Sequence, residues 1–127
     1  MADSKRQNRL SEEIRKLVSN MIFSELNISE LKYATITSVK ISPDLYYANI
    51  FYNVMESGPV KRGEIERLFT INRKKIRQFL SQKLRIKQAP EIKFIYDDTL
   101  DKVYHIEKLL EGIKKDEPSV PDNNEEV

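Results

Sequence analysis

Two runs of β-branched and aromatic residues, Thr35–Ile41 and Tyr46–Val54, are separated by only four residues that include Ser42-Pro43-Asp44. Pro43 presets φ for the second position of a turn, and strands this close in sequence pair antiparallel. The second run alternates, with Ala48, Ile50, Tyr52 and Val54 on one face and Tyr47, Asn49, Phe51 and Asn53 on the other. Such a hairpin needs a cover for its apolar face. Everything else in the chain has to supply that cover.

The flanking segments carry the helical period. Leu10, Ile14, Leu17, Val18, Met21 and Ile22 form one helix stripe, predicting a helix from about Arg9 to Leu26. After Ser57-Gly58-Pro59, a second stripe runs through Ile65, Leu68, Phe69, Ile76, Phe79, Leu80 and Leu84. Its phase slips at Thr70–Lys75, where Asn72 and Arg73 occupy the intermediate core positions. The slip predicts a kink or a break into two helices. Ala89-Pro90 stops that run, Ile92–Tyr96 alternates as a third strand, and Asp98-Thr99 opens a last helix with Leu100, Val103, Ile106, Leu110 and Ile113 on one face. The expected fold is α+β: a small three-stranded sheet packed with helices, in the order α-β-β-α-α-β plus a C-terminal helix. That order matches the KH type II arrangement, and the long helical return from the second strand permits a parallel third strand.

One domain, residues 9–113, accommodates these elements. Residues 1–8 read as a flexible basic arm. Residues 114–127 hold two prolines, five acidic and two basic residues, and read as a disordered acidic tail.

Composition narrows the chemistry. The 127 residues include no cysteine and one histidine, so thiol nucleophiles, disulfides and Cys-based or multi-histidine metal sites are excluded. His105 lies one step from the core position Ile106 and reads as a surface residue. None of the three glycines stands in a phosphate-binding loop. Asp97, Asp98 and Asp101 are the one carboxylate cluster for a metal-dependent enzyme, but they sit at a helix start, where acids serve the cap and the helix dipole. The expectation is no enzyme, no catalytic residue, no metal and no cofactor. No apolar run approaches a membrane span, and the N-terminus has no signal-like apolar stretch, so a small soluble cytoplasmic protein is expected.

Charge placement points to a partner. Lys61–Lys93 holds 11 basic and 3 acidic residues, a net of +8, although the whole chain is only +2. Such a segment is either a lysine-rich solvated helix face or the electrostatic footprint of a polyanion site. Tyr46, Tyr47, Phe51 and Tyr52 offer stacking platforms for bases, or else strand residues of the core.

Particular motifs in this chain resemble those of the ribosome-binding factor A family, over about residues 6–110. Ser42-Pro43-Asp44-Leu45-Tyr46-Tyr47-Ala48-Asn49-Ile50-Phe51-Tyr52 is similar to the family's S-x-D-L-x-x-A-x-V-Y hairpin. Arg6-x-x-Arg9 before Glu12 and Ile14, Ile76-Arg77, Leu84-Arg85-Ile86, Pro90–Phe94, Asp97-Asp98-Thr99 and Leu109-Leu110 follow in the family's order. Two departures stand out. Asn72-Arg73-Lys74 replaces the Ala-x-Gly element at which the family bends its paired helices, and Val103 and His105 stand where relatives often carry Gly and Arg. No G-x-x-G clamp of the ordinary KH type is present.

The resemblance implies a non-enzymatic assembly factor that binds the immature small (30S) ribosomal subunit and its 16S rRNA, supporting late maturation and rRNA processing. A monomeric free protein is expected. A generic KH-like RNA-binding regulator without a ribosomal role is the alternative. The expected phosphate contacts are Lys5, Arg6, Arg9, Arg62, Arg73, Lys74, Lys75, Arg77, Lys83, Arg85 and Lys87.

Overall fold

A computed structural model of the chain describes residues 2–55, 57–84, 86 and 88–116. The elements run α1 (Ala2–Ser24), a 3-10 turn (Ser29–Tyr33), β1 (Ala34–Ile41), β2 (Tyr47–Val54), α2 (Arg62–Leu84), β3 (Glu91–Tyr96) and α3 (Thr99–Asp116). They fall into two compact units, Met1–Asp97 and Asp98–Val127.

In the first unit the sheet order is β1-β2-β3. β1 and β2 pair antiparallel, from Ala34 opposite Val54 to Ile41 opposite Ala48. β2 and β3 pair parallel, from Tyr47 opposite Glu91 to Tyr52 opposite Tyr96. A parallel pair needs a long crossover, and α2 supplies it. This is the predicted α+β arrangement with a three-stranded sheet, and the parallel pairing that the long return permits is the one formed.

One face of the sheet is buried by two helices. α1 packs mainly on β1, and α2 on β3. The predicted inward face of β2 is buried at Ala48, Ile50, Tyr52 and Val54. From the helices, Ile14, Val18, Met21, Ile22, Ile65, Leu68, Phe69, Ile76, Leu80 and Leu84 complete the core. Burying each large aliphatic side chain contributes about 1.5–3 kcal/mol before entropy is counted. β1 alternates only in part because the register shifts between Ile36 and Ser38. The extra residue, Thr37, lets Ala34 and Ile36 face the core before the shift and Val39 and Ile41 after it. Aromatic rings knit the helix to the sheet: Phe69 stacks on Phe94 at 4.3 Å and tilts against Tyr52 at 5.0 Å.

Two expectations are corrected. The predicted break within Thr70–Lys75 is absent, and Arg62–Leu84 is a single α-helix, so the paired α-α step becomes one element. The half-buried Asn72 donates from Nδ2 to the Leu68 carbonyl at 2.8 Å, one turn back. A polar residue satisfied within its own helix can occupy the slipped core position without ending it. The helix expected from Arg9 begins at Ala2, so the residues read as a flexible arm are helical from that point. Gln7 anchors this extension of about two turns, donating from Nε2 to the Ile41 carbonyl at 2.8 Å.

The second unit is described as α3. Its start follows the predicted cap, with the Lys102 amide donating to the Asp98 carbonyl at 2.9 Å. Leu100, Val103, Ile106, Leu110 and Ile113 share one face, and no second described element belongs to their unit. Of the expected acidic tail, residues 114–116 close α3, and residues 117–127 lie outside the described residues.

Candidate nucleic-acid interface

The basic segment occupies α2 and the loop that follows it, and the helix distributes its cations unequally. At 100° per residue, Arg73 and Lys75 point roughly 200° apart, so one flat surface cannot take all of Arg73, Lys74 and Lys75. All three are exposed, and among the described residues no hydrogen bond or ion pair holds their side chains. Lys74 shares its face with Arg77, Gln78 and Ser81, which line a cavity of about 330 Å³ with Gln88 and Ala89 of the α2–β3 loop.

Arg77 lies in that cavity but is already committed. Its Nε donates to the Pro90 carbonyl at 3.1 Å, its Nη2 to the Ala89 carbonyl at 3.0 Å, and its Nη1 lies 3.2 Å from the Glu91 carboxylate. Every guanidinium nitrogen therefore binds the segment that leads into β3. Arg62 sits over the Tyr96 ring at 4.0 Å, and Lys83 is 5.5 Å from the Phe79 ring centre. With a rise of 1.5 Å per residue, these two cations attach about 30 Å apart along α2. Arg85 and Lys87 lie outside the described residues.

A second cavity, of about 630 Å³, gathers residues from three separate parts of the first unit. α1 contributes Arg6, Arg9, Leu10 and Glu13, which the i, i+3, i+4, i+7 spacing places on one face. The β1–β2 turn contributes Asp44, Leu45 and Tyr46, and the α2–β3 connection contributes Ile86 and Gln88. Lys5 is exposed on α1 but does not line the cavity. Gln88 lines both cavities, so the α1 arginines and Lys74 flank one loop.

The β1–β2 turn is held firmly. The Leu45 amide donates to the Ser42 carbonyl at 2.9 Å, closing the turn around Pro43. Asp44 Oδ1 accepts from the Ser42 hydroxyl at 2.6 Å and from the Tyr46 amide at 3.0 Å. These donors, the hydroxyl foremost, hold the Asp44 carboxyl below its usual range. Leu45 takes φ 67°, a left-handed conformation that costs a Cβ-bearing residue roughly 1–2 kcal/mol.

The predicted aromatic platforms divide by burial. Tyr52 is fully buried and belongs to the core, and Phe51 is half-buried. Tyr46 and Tyr47 are 62% and 61% exposed, and Tyr46 lines the 630 Å³ cavity. Sequence reasoning missed Leu45, Ile86 and Gln88 as site residues. Leu45 and Ile86 stand within the family-like motifs, whereas Gln88 carried no signal.

Among the described residues, no helix is long and apolar enough to cross a membrane. A family model described as ribosome-binding factor A matches residues 6–110. Ribosome-binding factor A of Geobacter metallireducens is 34% identical over 113 residues, covering 89% of this chain and 95% of its own length. The crystal structure of the Thermus thermophilus factor superposes with a TM-score of 0.62 at 14% identity, covering 71% of this chain and 93% of that one. A homology model of the Thermus thermophilus factor, as fitted into the cryo-EM map of a 30S complex, gives 0.59 at 15% identity, with 72% and 94% covered.

Proposed function

The chain belongs to the ribosome-binding factor A family, and from that premise we propose that it binds the immature small ribosomal subunit through 16S rRNA, supporting its late maturation. In this reading the protein acts without catalysis, in the cytoplasm, by holding one immature conformation of the RNA. A Thermus relative has been placed in a 30S complex, and this chain has the fold of that relative. The observation that carries the reading is that Lys74 on one side and Arg6 with Arg9 on the other line two cavities that share Gln88. Cations unencumbered by ion pairs are the ones that release counterions from RNA phosphates. Lys74, Arg6 and Arg9 are therefore the contacts on the Gln88 side, Arg73 and Lys75 reach phosphates of RNA that wraps the sides of α2, and Arg77 supports the loop between the two groups.

Titration of isolated small subunits with the Arg73→Gln, Lys74→Gln, Lys75→Gln triple variant tests this. The variant is expected to fold as wild type, bind more weakly, and show a log–log salt slope flatter by roughly 0.7–0.9 for each phosphate left unneutralised. Wild-type affinity and slope in the folded variant would remove α2 from the interface. Equal affinity for small subunits and for unrelated RNA of similar length would favour a generic RNA-binding regulator.

A further inference from the structure

We propose that the cavity between α1, the β1–β2 turn and the α2–β3 connection takes one unstacked nucleobase from a single-stranded stretch of RNA. The proposal rests on the rRNA-binding reading and adds to it a second mode of contact, to a base rather than to phosphate.

Three observations converge on a base. The volume, about 630 Å³, is within the usual range of small-molecule sites. The lining is amphipathic, with Leu10, Leu45 and Ile86 offering apolar surface and Tyr46 an exposed ring. Among the described lining residues, Glu13 and Asp44 stand beside the two arginines. A bare phosphate is poorly served by a site that holds two carboxylates. A neutral aromatic ring with donors and acceptors on its edge suits it well. The Gln88 amide and the second Asp44 oxygen can read such an edge, while the arginines reach the phosphates that flank the base.

The cavity is also built at a cost. Leu45 lines it from a left-handed backbone held by the Ser42–Leu45 turn and the Asp44 hydrogen bonds. Strain in a residue that lines a cavity is the pattern found at ligand sites. Four charged residues and a glutamine in the lining argue against an apolar protein side chain as occupant.

The test compares single-stranded RNA hexanucleotides with a duplex of equal length, titrated against the full chain. Tyr46→Ala removes an exposed ring and is expected to leave the thermal unfolding midpoint unchanged. It should weaken hexanucleotide binding about 5- to 150-fold, the range for a lost base–aromatic stack, and leave duplex binding untouched. Tyr46→Phe should retain wild-type affinity.

An unchanged hexanucleotide affinity in Tyr46→Ala, or an equal loss on the duplex, overturns the proposal. So does a Tyr46→Ala variant that loses affinity for intact small subunits but not for hexanucleotides, which would assign the cavity to a ribosomal protein. The Arg73→Gln, Lys74→Gln, Lys75→Gln variant separates the two readings. If it alone loses affinity, on single strands and duplex alike, phosphate contact stands and the base site falls. If Tyr46→Ala alone loses affinity, on single strands, the base site stands and the α2 contact falls.

Discussion

Arg77 reaches twelve residues along the chain to Ala89, donating from Nη2 to its carbonyl at 3.0 Å. The carbonyl belongs to the loop between the two cavities, and Arg77 also holds its neighbour Pro90 and pairs with Glu91. An arginine in the middle of a basic run thus positions the loop on which Gln88 rides. The fork of the guanidinium suits it to two adjacent carbonyls in a way that an ammonium group does not match.

Replacing Arg77 should therefore act on stability more than on charge. Arg77→Gln removes two charge-assisted hydrogen bonds at a half-buried site and is expected to cost about 1.5–3 kcal/mol. Arg77→Lys should recover little of it. Lys74→Gln, at an exposed position on the same helix, should stay within about 0.5 kcal/mol of wild type. Denaturant unfolding of the three variants checks this, and equal stability of Arg77→Gln and Lys74→Gln would refute the supporting role.

The continuity of α2 predicts uniform protection across the slipped segment. Amide exchange at Asn72–Ile76 should be as slow as in the adjoining turns, because each amide has its carbonyl four residues back. Asn72→Gly should cost about 1 kcal/mol more than Asn72→Ala, the ordinary penalty of glycine inside a helix. Rapid exchange confined to Arg73–Lys75 would restore the break that the apolar phase suggested.

Local pattern carried the fold further than it carried the site. The alternation of Ala48, Ile50, Tyr52 and Val54 and the stripe Ile14, Val18, Met21, Ile22 are period signals, and burial follows them residue by residue. Asn72 misled because a phase slip has two physical resolutions, a break or a polar residue bonded to its own helix, and the period alone does not choose. The residues around the 630 Å³ cavity come from segments about 35 to 80 positions apart. Tyr46 and Gln88 have no shared pattern in sequence; only the parallel pairing of β2 with β3 brings their segments together, with the Glu91 amide donating to the Tyr46 carbonyl at 2.8 Å. The charge count likewise showed a +8 segment without showing that Arg77 is bound to backbone.

The β1–β2 turn should respond to acid. Its donors hold the Asp44 pKa below the usual 3.8, so folding favours the carboxylate. That contribution is complete above the ordinary value and disappears as pH falls through the lower folded one. A carboxyl titration by NMR should give a midpoint below 3.8, with the Tyr46 amide resonance moving in step. A midpoint at or above the ordinary value would show that the Ser42 and Tyr46 hydrogen bonds do not persist in solution.

The last prediction concerns where the folded domain ends. The buried apolar core runs from Ile14 to Ile92, all within the unit Met1–Asp97, and its hydrogen-bonded end is tied by the Asp97 amide to the Tyr52 carbonyl. The sequence pattern instead places the boundary at residue 113, since the face of Leu100, Val103, Ile106, Leu110 and Ile113 looks like a core stripe. A chain ending at Asp97 distinguishes the two. If the core is self-sufficient, the shortened chain unfolds cooperatively with a stability within about 0.5 kcal/mol of the full chain, the scale of changes that touch no core. Loss of several kcal/mol, or of cooperative unfolding, would place α3 inside the domain. Urea unfolding followed by far-UV circular dichroism measures the difference, with Ile50→Ala in both chains as the calibrating core lesion at about 2–5 kcal/mol. If α3 adds nothing to the core, that lesion costs both chains the same.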